Sequence, residues 1–318
     1  MMRLFLASAF LLIILLPLQQ VKAQADISTA THWYNRANYN PAAIVKTEYI
    51  YFFTNIRQQW IGVDGAPTVF NAQASQYIHK MHSAFGISLV GEKIGATQVY
   101  NPMATYAYRL SNDEDWSLGM GLSAGVFSRT VNRSLFQPET PNDPSIPYGK
   151  VLYSTPDANL GFEFQNKYLI FSLSSTHILS INKPDQIFLN TNHRYGSLIY
   201  KSSDPDLLNY HIGLQVVNRR DLTVWEGNIS LRFKRPTLLQ SGPREMFDVG
   251  LTYRSSNQMT VLFAINVRRD LRVGYAYDHS FIPGFSSTGT HELMLEIRIP
   301  SKASATNGQF ATQEYWYN

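Results

Sequence analysis

Cysteine is absent from this 318-residue sequence, which excludes disulfide bonds, thiol chemistry and a lipid-modified amino-terminal cysteine. Charged residues are scarce, at 16% of the chain against roughly 25% in ordinary soluble domains. The 27 basic and 23 acidic residues form no long basic cluster, so we expect no nucleic-acid partner. Beyond the first residues, no apolar stretch approaches the ~18 to 20 residues of a membrane-spanning helix. The sequence therefore excludes a helical membrane protein.

The amino terminus has the pattern of a secretory signal peptide. Arg3 precedes an apolar run over Leu4–Leu18, and small residues ahead of Gln24 suit signal peptidase. We predict cleavage after Ala23, which makes residues 1–23 the signal peptide and routes the chain through the general secretory pathway. An uncleaved membrane anchor is the alternative, and it is disfavoured because the run is short and contains Pro17.

The mature chain is rich in aromatic residues and alternates in polarity. The full sequence contains 19 Tyr, 18 Phe and 5 Trp. Many segments place apolar residues at every second position. Period-two alternation indicates β-strands. In one segment Trp116, Leu118 and Met120 share one face, with serine and glycine between them. Leu262 and Met294 break this alternation in later segments.

The length and context of these strands favour a membrane barrel. A soluble β-sandwich would also alternate, with its apolar face buried between two sheets. Many segments here run about 9 to 12 residues, which is long for a sandwich and suits tilted membrane strands. We therefore predict an all-β fold, a transmembrane antiparallel β-barrel of about 14 strands with a range of 12 to 16, over residues 48–300 in the outer membrane.

Charged residues fall on the inward face of the predicted strands, and two interpretations remain open. Mixed charges could line an aqueous pore, as in a porin, or they could pair across a filled lumen. The inward set is Glu163, Glu226, Asp248, Glu292 and Glu296, with Arg232, Arg254, Arg272 and Arg298.

Two flanking segments do not follow the strand pattern. We assign residues 24–47 to a periplasmic amino-terminal segment, in which Trp33–Ala43 is rich in aromatic residues and asparagine. Asn40-Pro41 stops any regular element there, so the segment either plugs or braces the barrel mouth or binds a partner. Residues 301–318 form a polar, aromatic-ended tail beyond the last strand.

Evidence for catalysis is thin. Asp278, His279 and Ser280 are three triad residue types, but a working triad is assembled in space and not by adjacency in sequence. The eight histidines lack the spacing of a zinc site, and no phosphate-binding glycine motif occurs. We expect no enzyme activity, catalytic residue, cofactor or metal, and a hydrolase is only the third hypothesis.

Two blocks of the sequence resemble a known family. Asn40-Pro41-Ala42-Ala43, then Arg57-Gln58-Gln59-Trp60 and Gly65-Ala66-Pro67, are similar to the opening of the PorP/SprF proteins of the Bacteroidota type IX secretion system. Gly274-Tyr275-Ala276-Tyr277-Asp278, followed by Thr290-His291-Glu292-Leu293, is similar to that family's last strands. The candidate motif or partner-binding residues are Asn40, Pro41, Ala42, Arg57, Gln58, Gln59, Trp60, Gly65, Ala66, Pro67, Tyr277, Asp278, His291 and Glu292.

This resemblance implies a non-enzymatic outer-membrane component of the secretion or gliding machinery. Its partners would be outer-membrane lipid and other secretion components, such as periplasmic ring or peptidoglycan-binding proteins, or a large secreted adhesin. It implies that the protein either anchors periplasmic components or supports secretion and surface attachment of the adhesin. The block Arg57–Pro67 is either a recognition surface or a fixed turn in which Trp60 packs and Pro67 sets the backbone. A general diffusion porin is the second hypothesis.

Overall fold

The structure is a computed structural model, and it describes most of the predicted mature chain. The described residues are 29–45, 49–112, 116–132, 134, 149–180, 191–202, 208–219, 222–235, 244–268, 270–281 and 287–300. The predicted signal peptide and the predicted carboxy-terminal tail lie outside these residues. No helix within the described residues is long and apolar enough to cross a membrane.

Fourteen antiparallel strands form a closed barrel, as the alternation predicted. Each strand pairs with its neighbours in sequence, and β1 closes the ring by pairing with β14. The strands are β1 Tyr49–Gln58, β2 Thr68–Ile78, β3 Ser83–Ile94, β4 Thr97–Asn112, β5 Trp116–Asn132, β6 Lys150–Asn166, β7 Leu169–Thr176, β8 His193–Lys201, β9 Leu208–Arg219, β10 Leu222–Arg235, β11 Arg244–Arg254, β12 Gln258–Asn266, β13 Leu271–Ser280 and β14 Thr290–Pro300.

The two faces of the strands differ in polarity as expected. Leu122 on β5 and Leu214 on β9 are about half exposed, at 52% and 50%, on the outer surface. Their neighbours Ser123 and Gln215 are buried inside the barrel. Because successive side chains on a strand point to opposite faces, apolar residues cover the outside and polar residues line the lumen.

The barrel has two distinct ends. We call the end where β1 and β14 meet the flanking segments the base, and the opposite end the mouth. The longest connections, residues 133–149 and 177–192, are both at the mouth. The loop 59–67 between β1 and β2 also lies there, next to the start of β14.

The amino-terminal segment lies inside the barrel. Residues 29–44, which we call the plug, form three short 3-10 helices over Ala30–Trp33, Arg36–Asn38 and Pro41–Ile44. We assigned residues 24–47 to a periplasmic segment that either plugs or braces the barrel mouth or binds a partner, and their described part lies inside the lumen as a plug. The plug buries Trp33 to 2% exposure, and an aromatic ring removed from water in this way contributes to holding the segment inside.

The plug runs from the mouth side of the lumen to the base. Ala30 contacts Glu292, close to the mouth end of β14 at Thr290. Ile44 packs with Tyr77, near the base end of β2. The chain therefore passes down the lumen before it enters β1 at the base.

The plug also explains the two breaks in the strand alternation. Leu262 faces inward, and its buried cluster contains Ala30 of the plug. Met294 faces inward in a second cluster, and Tyr34 of the plug packs against both clusters. These apolar side chains face the lumen because the plug offers them an apolar partner there.

Candidate functional site

Glu292 is the main contact point between the barrel wall and the plug. Its carboxylate accepts hydrogen bonds from the backbone N–H groups of Ala30 at 2.7 Å and Thr31 at 3.2 Å, and from the Thr31 hydroxyl. It also accepts hydrogen bonds from Asn55 at 2.7 Å and Arg57 at 3.0 Å. Glu292 is only 1% exposed, and these donors compensate the burial of its charge.

Arg57 connects Glu292 to a second carboxylate. One nitrogen of its guanidinium bonds to Glu292 and another to Asp278. All three side chains are at least 97% buried. This triad unites the two sequence blocks that carried the family resemblance, because Arg57 comes from the first block and the two acids come from the second.

Two further glutamates hold the plug from other parts of the wall. Glu163 on β6 accepts two hydrogen bonds from the guanidinium of Arg36 in a bidentate arrangement, with distances of 2.8 and 2.9 Å. Glu226 on β10 contacts His32 and accepts a hydrogen bond from Arg254 at 2.9 Å. With Glu292, the three anchoring glutamates stand on β6, β10 and β14. Around the closed ring these strands are separated by four, four and six positions, so the plug is held from three directions.

Glycines of the wall make room for the plug. Gly121 of β5 and Gly161 of β6 are register partners, and a side chain at either would overlap Asn40 or Pro41. A side chain at Gly213 would overlap the ring of Trp33. The wall is therefore sterically complementary to the plug at these positions.

The Asn40-Pro41-Ala42 motif forms the turn that fits the glycine pair. The Asn40 side chain accepts a hydrogen bond from the backbone N–H of Ala42 at 3.0 Å, which caps the last short helix. Its amide nitrogen donates to the carbonyl of Phe162 on β6 at 3.1 Å. Pro41 stands at the first helical positions, where its missing N–H costs nothing. The motif thus joins the plug to the wall.

Aromatic and amide groups complete the plug's contacts. The guanidinium of Arg272 lies 4.4 Å from the centre of the Tyr34 ring, a cation–π contact. Asn38 accepts hydrogen bonds from Asn71 and Gln73, each at 2.7 Å. The contacts of the plug are therefore specific, not merely space-filling.

Seven of the nine predicted inward charges pair with one another, whereas Glu163 and Glu292 pair with Arg36 and Arg57. Asp248 lies between Arg232 and Arg272, and Glu296 contacts Arg272 and Arg298. The plug and these paired charges occupy part of the lumen, which favours the second of the two interpretations of these charges, and a cavity remains beside the plug.

The loop 59–67 is fixed at the mouth by backbone hydrogen bonds. The N–H of Gln59 donates to the carbonyl of Pro67 at 2.8 Å, and the N–H of Ile61 donates to the carbonyl of Gly289 at 2.9 Å. Gly65 has a φ of 71°, and its carbonyl accepts from the turn between β3 and β4 at 2.9 Å. The Gly65-Ala66-Pro67 motif therefore closes this loop and attaches it to the neighbouring turn.

The remaining motif residues lie on the outer surface near the mouth. Gln58, His291 and Tyr277 are register neighbours across β1, β14 and β13. The His291 and Tyr277 rings are 5.3 Å apart, and Tyr275 contacts His291 at 2.5 Å. Neighbouring residues of the two sequence blocks therefore point to opposite faces of the barrel. Arg57, Asp278 and Glu292 form the buried triad, and Gln58, Tyr277 and His291 form a row on the outer face.

A cavity of about 440 Å³ lies between the plug and the barrel wall, and its lining extends from Trp60 at the mouth to Pro41 of the plug. We call it the vestibule. Its floor includes Thr29 and Asn38 of the plug, and its walls include Val69, Val217 and Trp60.

The residues Asp278, His279 and Ser280 do not form a catalytic triad. Asp278 is buried in the lumen and bonded to Arg57, whereas His279 is exposed on the outer face. Adjacent residues of a strand point to opposite faces, so their side chains cannot meet.

Sequence reasoning did not identify the wall glycines or the plug residues Thr31, His32 and Arg36. Three wall glutamates were identified as inward charges, but their partners were not. The available signal was the run of small inward residues around Gly119 and Gly121, which we interpreted as a crowded or wet interior.

Comparison with known proteins gives distant structural matches and a family match. The outer membrane protein Omp33 of Acinetobacter baumannii is 10% identical with a TM-score of 0.45, covering 79% of this chain and 99% of that one. A FadL homologue of Pseudomonas aeruginosa is 10% identical with a TM-score of 0.43, covering 84% and 93%. No match was found among curated proteins. Residues 21–297 match the family model described as type IX secretion system membrane protein PorP/SprF, and the chain belongs to this family.

Proposed function

We propose that this protein is a plugged outer-membrane scaffold of the type IX secretion machinery that holds a secreted partner at its mouth. The observation that carries the proposal is the plug that the wall holds inside the lumen. Three buried glutamates and a glycine pair of the barrel wall hold the amino-terminal segment inside the lumen, where it obstructs the channel. A general diffusion porin needs an open channel. A scaffold needs a stable surface instead.

The orientation of the barrel supports the choice of partner. Bacterial barrels with an even number of strands keep both ends in the periplasm and place their longer loops outside. Here β1 begins and β14 ends at the base, and the longest connections are at the mouth. We infer that the mouth faces the cell exterior, so a partner bound there is a protein that has already been secreted.

The loop 59–67 is the best candidate for the contact surface. Ile61 and Val63 on this loop are exposed by 37% and 36%, although they are apolar. The hydrogen bonds from Ile61 to Gly289 and from Gly95 to Gly65 hold the loop in one conformation. Exposed apolar side chains on a preordered loop are typical of a binding surface, because little conformational entropy is lost on binding.

The deletion of the gene tests this function. Deletion should remove a secreted protein from the cell surface and leave permeability to small solutes unchanged. Unchanged surface proteins combined with reduced nutrient uptake would instead support the porin. Loss of a periplasmic complex with normal surface proteins would support anchoring of periplasmic components, the other role that the family resemblance implies.

A pair of variants tests the loop itself. Replacing both Ile61 and Val63 with serine should release the surface partner into the medium while the barrel remains folded. The matched control is Met81→Ser, because Met81 is an apolar residue exposed by 52% at the base. Equal retention of the partner by both variants would remove the loop from the proposal.

A further inference from the structure

One side of the vestibule is a row of aromatic rings. Phe127 of β5 contacts His177, which follows β7, with ring centres 5.8 Å apart, and the ring of His177 is 5.7 Å from that of His193. The row continues through Tyr195 of β8 to Tyr39 of the plug, and these two stacked rings are 5.2 Å apart. All of these residues except His193 line the vestibule. The row therefore runs from the mouth half of β5 down to the plug.

Two aromatic residues of the lining have a backbone conformation that L-residues rarely adopt. Trp60 has a φ of 50° and His177 a φ of 56°, and they are two of the four non-glycine residues with positive φ in the described part of the chain. The N–H of His177 donates to Asn159 Oδ1 at 2.9 Å, and its ring contacts Asp157 at 2.6 Å. Strained residues persist only where their surroundings hold them, and they cluster at ligand sites. The ring of His177 is therefore fixed in place before any ligand binds.

Amide side chains flank the aromatic row on both sides. Asn71 and Gln73 stand on β2 and Gln215 stands on β9, and all three line the vestibule. The row on β5 to β8 lies between these two walls in the order of the ring. Each side-chain amide carries N–H donors and a carbonyl acceptor. A ligand packed on the row therefore has hydrogen-bonding groups of both kinds on either side.

The charges of the lining compensate one another. Arg254 donates a hydrogen bond to Glu226 at 2.9 Å, and Arg57 is bonded to both carboxylates of the buried triad. Near the mouth, Glu92 on β3 and Arg219 on β9 contribute one charge of each sign. Burying a ligand charge that has no opposite charge beside it is costly. The vestibule therefore favours a neutral ligand.

We propose that the vestibule binds a short neutral saccharide. The C–H face of a sugar ring packs against the face of an aromatic ring, because the aromatic face carries the negative part of the ring quadrupole. Hydroxyl groups both donate and accept hydrogen bonds, so they match the amides on β2 and β9. The volume of about 440 Å³ lies within the range of about 300–1,000 Å³ found for small-molecule sites. This binding goes beyond the proposed scaffold function and does not depend on it.

Calorimetric titration of the purified full-length protein tests the binding. The detergent must have a headgroup that is not a sugar, because a sugar headgroup would compete for the site. The probes are maltotriose, cellotriose and tri-N-acetylchitotriose, which are all neutral trisaccharides. We expect saturable binding of at least one of them, and the absence of saturable binding for all three overturns the proposal.

Two variants test whether the saccharide lies in the vestibule. Phe127→Ala removes a ring of the row and Gln215→Leu removes an amide, and each should raise the Kd of the bound trisaccharide about tenfold. The control is Tyr200→Ala, which removes a ring of β8 that is 39% exposed on the outer face, and its Kd should equal that of the wild type. Equal Kd values for Phe127→Ala, Gln215→Leu and the wild type overturn the proposal, because the saccharide is then bound elsewhere.

Labelling of a single cysteine tests the same site without removing any ring or amide of the lining. The chain has no cysteine, so Val217→Cys places one reactive group on the vestibule wall. A saturating trisaccharide should slow its reaction with a maleimide about tenfold and leave the rate of Val216→Cys, on the outer face, unchanged. Equal rates for Val217→Cys with and without the trisaccharide overturn the proposal. Protection by a capped trialanine peptide but by none of the trisaccharides overturns it as well, because the site then binds a peptide.

Discussion

The Glu292 carboxylate accepts a hydrogen bond from the backbone N–H of Ala30 at 2.7 Å, although the two residues are 262 positions apart in the chain. This contact joins the plug to the last strand of the barrel. The same carboxylate binds Arg57, so the plug and the closure of the ring between β1 and β14 share one buried charge.

Removing this charge should release the plug and weaken the barrel. Glu292→Ala leaves Arg57 and two backbone N–H groups without their acceptor, and breaking such a buried pair costs about 3–5 kcal/mol. The measurement is the free energy of unfolding of the refolded barrel in detergent. Gln58→Ala, a change to an exposed neighbour, should stay within about 0.5 kcal/mol of the wild type.

Arg36 should be sensitive to the shape of its side chain as well as to its charge. Its two bonds to Glu163 use the planar fork of the guanidinium, which lysine cannot reproduce. We expect Arg36→Lys to lose about 1–3 kcal/mol of stability and Arg36→Ala to lose more. Equal stability of Arg36→Lys and the wild type would show that charge alone holds the plug at this point.

Gly161 should tolerate no side chain while the plug is in place. A Cβ there would overlap Asn40, and overpacking of this kind costs about 1–3 kcal/mol. Gly161→Val should therefore expose the plug to a protease that leaves the wild type intact. In the control Gly227→Ala, the nearest atom to the new Cβ is 4.0 Å away, so the plug should stay protected.

The outward face should reject charge. Leu214 lies near the middle of β9 and is 50% exposed on the apolar surface, where an arginine at the bilayer midplane costs about 2–4 kcal/mol. Leu214→Arg should reduce insertion of the barrel into lipid vesicles. Asp64→Arg, on the exposed loop at the mouth, should insert normally. Normal insertion of Leu214→Arg would argue that this face does not meet lipid.

The barrel was predictable from sequence, and a plug was one of the alternatives for the amino-terminal segment, but the contacts that hold the plug were not predictable. Alternation in segments such as β5 and β11 fixes which face is apolar, and that pattern is local. Trp33, His32 and Arg36 carry no such pattern, because their partners are on strands far away in the sequence. The exceptions Leu262 and Met294, like Ile170 and Ile199 beside Trp33, are inward apolar residues that indicate an apolar object inside the barrel.

The candidate motif residues were also predictable only in part. Sequence reasoning selected Arg57, Asp278 and Glu292 as members of a resemblance, and the structure joins them in one buried triad. It could not show that Glu292 accepts a hydrogen bond from the backbone N–H of Ala30, because the identity of a residue does not reveal what its backbone N–H binds. Their role as a partner-binding surface stays a prediction.

Conductance of the purified protein in planar lipid bilayers tests the closed lumen most directly. The plug, held by Glu163, Glu226 and Glu292, predicts a silent barrel for the wild type. A variant combining Glu292→Ala with Arg36→Ala should conduct, because two of the three anchors are lost. Steady conductance of the wild type at the level of the double variant would contradict the account.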